Sequence, residues 1–95
     1  MSADETDKHA AQERARRAKA ILEDPLFKSA QVDVRAAILA AWSATPSRDH
    51  LERERLYCMD QMLTRVVRAL TQHVETGRIN ERELTKDRFR LFSKV

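Results

Sequence analysis

The chain has 95 residues, of which 42% are hydrophobic, 35% charged and 5% aromatic, and its formal net charge is +3. This length allows one small domain, and a content of one glycine and two prolines argues against a fold of many strands and turns. The good helix formers Ala, Arg, Leu and Glu dominate, so the composition predicts an all-α protein. The lone Cys58 cannot form an intramolecular disulfide. No apolar run approaches the roughly 18 residues of a membrane span, so we expect a cytoplasmic protein without membrane contact.

Residues 1–8 are polar and acidic and are predicted to be disordered. A helix is predicted from about residue 9 to about residue 23, with a thin apolar seam of alanines ending at Leu22. This helix also carries a basic cluster of Arg14, Arg16, Arg17 and Lys19. One interpretation of the cluster is contact with phosphate, and the other is a solvated helix face balanced by Glu13 and Glu23.

Asp24 and Pro25 predict the start of a second helix, because Asp is a good N-cap and Pro is tolerated at the first helical position. This helix is expected to run to about residue 43, since its apolar positions keep a helical period. Its predicted core and oligomer residues are Phe27, Val34, Ile38 and Trp42.

A break follows at Thr45 and Pro46, and Asp49 with Glu52 predicts a capping box that opens a third helix. This long helix is expected to run from about residue 49 to about residue 75, where Gly77 supplies a left-handed terminal residue. Its apolar stripe, with spacings typical of helices packed lengthwise, is Leu56, Met59, Leu63, Val66 and Leu70. The short break predicts an antiparallel helical hairpin, and the longer helix leaves part of its stripe for the first helix or for another subunit.

Residues 78–95 form a basic tail after the helical oligomerisation domain of residues 9–77. Asn80 and Glu83 predict a second capping box and a short helix. Six bases are predicted to contact DNA, namely Arg78, Arg82, Lys86, Arg88, Arg90 and Lys94. For the apolar residues Phe89, Leu91 and Phe92 three interpretations remain: folding back onto the helices, docking on a partner, or stacking on nucleic acid.

No catalytic constellation is found in the sequence. His9, His50 and His73 lie in separate segments, and none has a second ligand at metal-binding spacing. Cys58 lies within the apolar region of the long helix and is expected to be a small buried hydrophobe. We therefore expect no enzymatic activity, no metal and no cofactor. A helix-turn-helix DNA reader is disfavoured, because its helices are shorter and its turn commonly contains glycine.

Residues 21–77 nonetheless resemble short proteins of tailed phages and gene transfer agents. The shared frame opens on Leu22, Asp24, Pro25 and Leu26, and continues at the break with Trp42, Thr45, Pro46, Arg48 and Asp49. It resumes with Arg53, Glu54, Arg55 and Leu56 and closes on Thr76 and Gly77. The family that the chain resembles in this frame is the small terminase subunit of the viral DNA-packaging motor.

That resemblance implies a homo-oligomeric ring built on a helical hairpin, with a C-terminal segment that engages the large terminase ATPase/nuclease. The chain departs from the usual pattern because it has no evident N-terminal helix-turn-helix domain. Weak, salt-sensitive binding of double-stranded DNA without sequence specificity is therefore expected, in the cytoplasm of the host or producing bacterium. Two other readings stay open: a small phage structural or interaction protein, such as a virion component or host-protein inhibitor, and a basic nucleoid-type DNA-binding dimer.

Overall fold

The computed structural model describes the backbone of residues 3–93 and the side chains of residues 4–86. Three helices make up nearly all of this part of the chain: α1 (Ala3–Glu23), α2 (Pro25–Ala44) and α3 (His50–Ser93). The described residues contain no strand. The prediction of an all-α protein is therefore confirmed.

A single residue, Asp24, separates α1 from α2. Its side-chain Oδ1 accepts hydrogen bonds from the backbone N–H groups of Leu26 and Phe27 at 2.8 and 3.0 Å. Its own N–H donates to the carbonyl of Ile21 at 3.2 Å, which belongs to the last turn of α1. The predicted N-cap is confirmed, with Pro25 in the first turn of α2. The same residue therefore ends one helix and starts the next.

The connection between α2 and α3 also lies where the sequence predicted the end of one helix and the start of the next. The Thr45 hydroxyl donates to the Ala41 carbonyl at 2.7 Å and closes the last turn of α2. The Asp49 carboxylate accepts from the Glu52 N–H at 3.2 Å, which is the first half of a capping box. The Asp49 N–H donates to the Pro46 carbonyl at 3.0 Å. A full capping box would use the Asp49 N–H as donor to the Glu52 carboxylate. Here that N–H is already bonded to the Pro46 carbonyl within the turn.

The predicted helix stop at Gly77 is wrong. Helix α3 continues through Gly77 and Asn80, so the predicted second capping box and separate C-terminal helix do not form. Gly77 does not adopt a positive φ. It is buried against α1, with an ideal Cβ position 3.7 Å from the Ala11 carbonyl oxygen and overlapping the Ala15 Cβ. The glycine thus permits close approach of two helices, a role that sequence cannot distinguish from a C-cap.

Helix α1 packs on the C-terminal part of α3 of the same chain. It begins at Ala3, so the helix covers most of the segment that the sequence predicted to be disordered. Ala11 and Ala18 are buried in this contact, and Lys8 Nζ lies 3.1 Å from a carboxylate oxygen of Glu83. Alanines on one helix and a glycine on the other allow the two backbones to lie close together.

Helix α2 contacts the N-terminal part of α3 and runs in the opposite direction. Arg35 donates from Nη1 to the Asp60 carboxylate at 2.7 Å and from Nη2 to the Thr64 hydroxyl at 3.2 Å. Nearer the turn, the Arg53 guanidinium lies over the Trp42 ring at 4.0 Å from its centroid. Polar groups therefore carry much of this contact, alongside the apolar side chains described next.

The contact positions on α3 follow one heptad seam along its length. Leu56 is buried, Leu63 and Leu70 are half-buried, and Gly77 continues the seven-residue repeat. The intervening contact positions are Asp60, Val67 and Val74, which are half-buried. Because α1 and α2 occupy this one seam in succession, the chain is elongated. Its extents are 72 × 26 × 19 Å, and its radius of gyration is 20.5 Å.

Candidate interaction surfaces

The structure divides the predicted core and oligomer residues into two groups. Ile38 and Leu56 are buried, and the half-buried members are Phe27, Trp42, Leu63 and Leu70. Three others face solvent in the single chain: Val34 is 46% exposed, Met59 49% and Val66 54%. On α2, Val34 directly precedes a residue that contacts α3. On α3, Met59 and Val66 each directly precede a residue of the seam. All three are therefore available to a neighbouring molecule.

Further large apolar side chains are exposed on the same half of the molecule. Leu26 is 78% exposed, and both Val32 and Leu39 are 66% exposed. On α3, Met62, Tyr57 and Leu51 are also exposed. Sequence reasoning did not assign Val32 or Leu39 to any surface. The signal was available, because α2 has apolar residues around its whole circumference, as is typical of a helix covered on several sides.

Within the basic cluster of α1, two arginines are paired with one acid. The Glu13 carboxylate accepts from Arg16 Nη2 at 2.7 Å and from Arg17 Nε at 3.3 Å. The hydrogen bond from Arg16, helped by the charges of Arg16 and Arg17, lowers the pKa of Glu13. Arg14 and Lys19 are exposed and have no ion pair among the described residues. Two of the four bases are therefore neutralised by a neighbouring carboxylate of the described residues, and two are not.

The C-terminal bases are divided in a similar way. Arg78 pairs with Glu75 at 3.1 Å, whereas Arg82 and Lys86 are exposed without an ion pair in the described part of the chain. The side chains of Arg88, Arg90 and Lys94, and those of the predicted docking residues Phe89, Leu91 and Phe92, lie outside the described residues. Among the C-terminal bases whose side chains the structure describes, Arg82 and Lys86 are therefore the two that no carboxylate of the described residues neutralises.

One shallow groove brings the two predicted basic groups together. Arg16 and Lys19 of α1 and Arg78 of α3 line it, although about sixty residues separate them in sequence. Leu22, Val74, Glu23 and Glu81 also line it. The two glutamates offset part of the basic charge, so the groove by itself is a poor site for a phosphate backbone.

Other predicted site features are also placed. Cys58 is exposed, so its expected burial is wrong. It lies on α3 away from the seam that α2 covers. Among the described residues, no cluster of His, Cys, Asp and Glu has the composition of a metal site. Over the same residues, no helix combines the length and apolarity that crossing a bilayer requires.

No protein-family profile, curated protein or solved structure matches this chain.

Proposed function

We propose that this protein is a non-enzymatic DNA-packaging protein of the small terminase type. In this proposal the antiparallel pair of α2 and α3 is a helical hairpin that assembles into a homo-oligomeric ring. The ring binds double-stranded DNA weakly and without sequence specificity, and it recruits or regulates the large terminase motor. The motif frame across residues 21–77 supports this assignment as a resemblance.

The observation that carries self-association is the surplus of exposed surface. The chain exposes 7735 Å². A compact monomer of 11.0 kDa is expected to expose about 5600 Å². The radius of gyration of 20.5 Å similarly exceeds the value of about 12 Å expected for a compact domain of this length. Together with exposed Val34, Met59 and Val66, this surplus supports a chain that completes its core against copies of itself.

Native mass spectrometry at near-physiological salt tests the assembly. We expect a closed species of several subunits in the wild-type protein, and dissociation in Met59→Asp, because a charge at an exposed apolar contact disfavours association. Arg65→Asp is the matched control, since Arg65 is exposed on the same helix and outside the predicted contacts. A wild-type chain that stays monomeric at micromolar concentration would contradict the proposal.

DNA binding depends on the open C-terminal charges. Deleting residues 78–95 would also remove the Glu83 contact with α1, so substitution is the cleaner experiment. We expect Arg82→Gln with Lys86→Gln to weaken binding of a random duplex. The slope of log affinity against log salt should fall by up to about 1.8, because about 0.9 counterions are released for each phosphate contact.

The matched control is Arg65→Gln with Arg68→Gln, which removes the same charge from exposed positions of α3 outside the predicted DNA set. Equal losses in both pairs would indicate a general charge effect and would count against a specific DNA surface. Binding that shows no salt dependence in the wild-type protein would contradict the DNA role altogether.

A second candidate function has one observation in its favour. Arg16, Arg17 and Arg78 are each held by a neighbouring glutamate, which reduces the positive field that DNA would meet. A small helical structural or interaction protein of a phage, without a DNA role, fits this neutralisation. It predicts no measurable affinity for DNA, and it does not require a ring.

A further inference from the structure

We propose that copies of this chain join head-to-tail, through two different apolar faces that lie on opposite sides of the α2–α3 pair. This inference rests on the proposed self-association and specifies its interface. A heterologous contact of this kind uses the first face of one copy and the second face of the other, so each copy keeps one free face, of a different type in the two copies. It closes only when a ring is complete, whereas a two-fold dimer uses one face twice.

Helix α2 has three lengthwise lines of residues. The line that contacts α3 consists of Gln31, Arg35, Ile38 and Trp42, which are half-buried or buried. On one side of it lies the alanine face, which we define as Leu26, Ala30, Val34, Ala37 and Ala41. On the other side lies the leucine face, defined as Val32, Ala36 and Leu39, whose line continues to Lys28 at one end and Ser43 at the other. The defined residues of both faces are exposed and uncharged, and Lys28 is the charged neighbour of the leucine face.

Helical geometry places these two faces apart. Each residue advances the direction of the side chain by about 100°, so Val32 and Val34 point about 160° away from each other. Arg35 and Ile38, which contact α3, lie between the two directions. One neighbour therefore cannot cover both faces, and α2 needs a partner on each side.

Helix α3 extends each face. In an antiparallel pair, the positions that precede the seam residues of both helices lie on the same side. Met59 and Val66 precede Asp60 and Val67, as Val34 precedes Arg35, so they border the alanine face. Tyr57 follows the seam residue Leu56, as Leu39 follows Ile38, and it borders the leucine face.

The two faces differ in shape in a complementary way. Small side chains at Ala30, Ala37 and Ala41 make the alanine face low between its larger border residues. The leucine face projects Val32 and Leu39, each 66% exposed, and Tyr57, which is 57% exposed. Large side chains of one copy can therefore seat over the alanines of the next copy, with Lys28 at the edge of the contact, where its long side chain can keep the ammonium group in water.

The exposed area also favours two contacts for each chain. A standard interface buries about 800 Å² on each partner. The surplus of this chain over a compact monomer is about 2100 Å², which accommodates two such interfaces. A single two-fold contact of standard size would leave more than half of that surplus in water. We therefore assign the occupant of each face to a second copy of this chain.

Complementation between two variants tests the arrangement. Val34→Asp damages the alanine face and Leu39→Asp damages the leucine face, while Gln72→Asp places the same charge at an exposed position outside both faces. We expect each of the first two variants to be monomeric alone and Gln72→Asp to assemble like the wild type. An equimolar mixture of Val34→Asp and Leu39→Asp should form a 1:1 heterodimer, because it contains one intact pair of faces.

Native mass spectrometry reads the stoichiometry, and far-UV circular dichroism checks that each variant keeps its helices. If Val34→Asp loses its helices, Val66→Asp replaces it, since Val66 borders the same face. A Leu39→Asp protein that assembles into the wild-type ring while Val34→Asp does not would overturn the pairing of these two faces and leave the proposed ring and its packaging function intact. A monomeric wild-type protein would overturn both.

Discussion

Gly77 shows how one residue can serve a purpose that its sequence context does not reveal. In a helix interior, glycine is about 1 kcal/mol less favourable than alanine. Here the cost is offset by the approach of α1, whose Ala15 Cβ occupies the space that a side chain at position 77 would need. The atoms nearest to that space include the Ala15 Cβ and the Ala11 carbonyl oxygen. Neither belongs to a flexible side chain, so neither can move away by a side-chain rotation.

We predict that Gly77→Ala destabilises the protein by up to about 2 kcal/mol, although alanine is the better helix former. The overlap with Ala15 forces α1 outward, and overpacking of this kind costs about 1–3 kcal/mol before the gain in propensity is subtracted. Urea unfolding at fixed protein concentration measures the change. The neighbouring exposed position supplies the control, since Thr76→Ala should shift stability by less than about 0.5 kcal/mol. A Gly77→Ala protein more stable than the wild type would show that α1 does not pack here.

Leu63 is the central seam residue of α3 and gives a second prediction at this scale. Leu63→Asp should destabilise the folded chain by about 3 kcal/mol, because it places an unpaired charge in an apolar contact. Met59→Asp, four positions earlier and exposed, should leave the helical content of the single chain unchanged. Circular dichroism during thermal unfolding separates the two. Because loss of association also lowers the unfolding temperature, the comparison is made with Val66→Asp, another exposed variant of the same helix, and equal stability of Leu63→Asp and Val66→Asp would mean that the seam is misplaced.

At the scale of the elements, Asp24 is the joint between two helices that lie along the same partner. Its carboxylate satisfies two orphan N–H groups of α2, and its N–H ends α1. Polar contacts then fix α2 against α3, because Arg35 reaches both Asp60 and Thr64. The side chains of Arg35 and Asp60 are 41% and 37% exposed. Solvent therefore screens this ion pair, and the pair specifies the register of α2 on α3 more than it adds to the free energy of unfolding.

Asp24→Ala should lower the free energy of unfolding by about 1 kcal/mol, the usual loss for an N-cap. Asp24→Asn is the matched comparison, because its side-chain oxygen can accept the same two hydrogen bonds. Chemical denaturation of both variants provides the measurement. Equal stability of the alanine and asparagine variants would indicate that the cap contributes nothing and that packing alone sets the α1–α2 boundary.

At the scale of the whole molecule, the shape follows from placing two helices in succession along one long helix. No third layer covers the outer faces of α2 within the described chain, which leaves Val32, Val34 and Leu39 in water. A domain of this size buries little apolar surface even when it is compact. Exposed apolar side chains on its outer faces are therefore a feature typical of interaction surfaces. The elongated chain also places Arg14, Lys19, Arg82 and Lys86 in the half of the molecule away from the α2–α3 turn.

Small-angle X-ray scattering of a dissociated variant tests this shape. Val34→Asp should give a radius of gyration near 20.5 Å, because the helix pairs of the single chain do not depend on the neighbour. A compact globule would give about 12 Å. A value close to the compact one would show that the free chain refolds and that the extended form belongs only to the assembly.

The sequence alone determined the helical class, the Asp24 cap, the break near Pro46 and the apolar period of the long helix. These features are local, because they depend on propensity, capping chemistry and spacing within a few residues. It could not determine the role of Gly77, since a glycine at a helix end and a glycine at a helix crossing have the same local signature. It also could not separate Leu63 from Met59, or Ile38 from Val34. The tertiary structure decided these, because a neighbouring helix covers only one line of a broad apolar surface and leaves the adjacent line exposed.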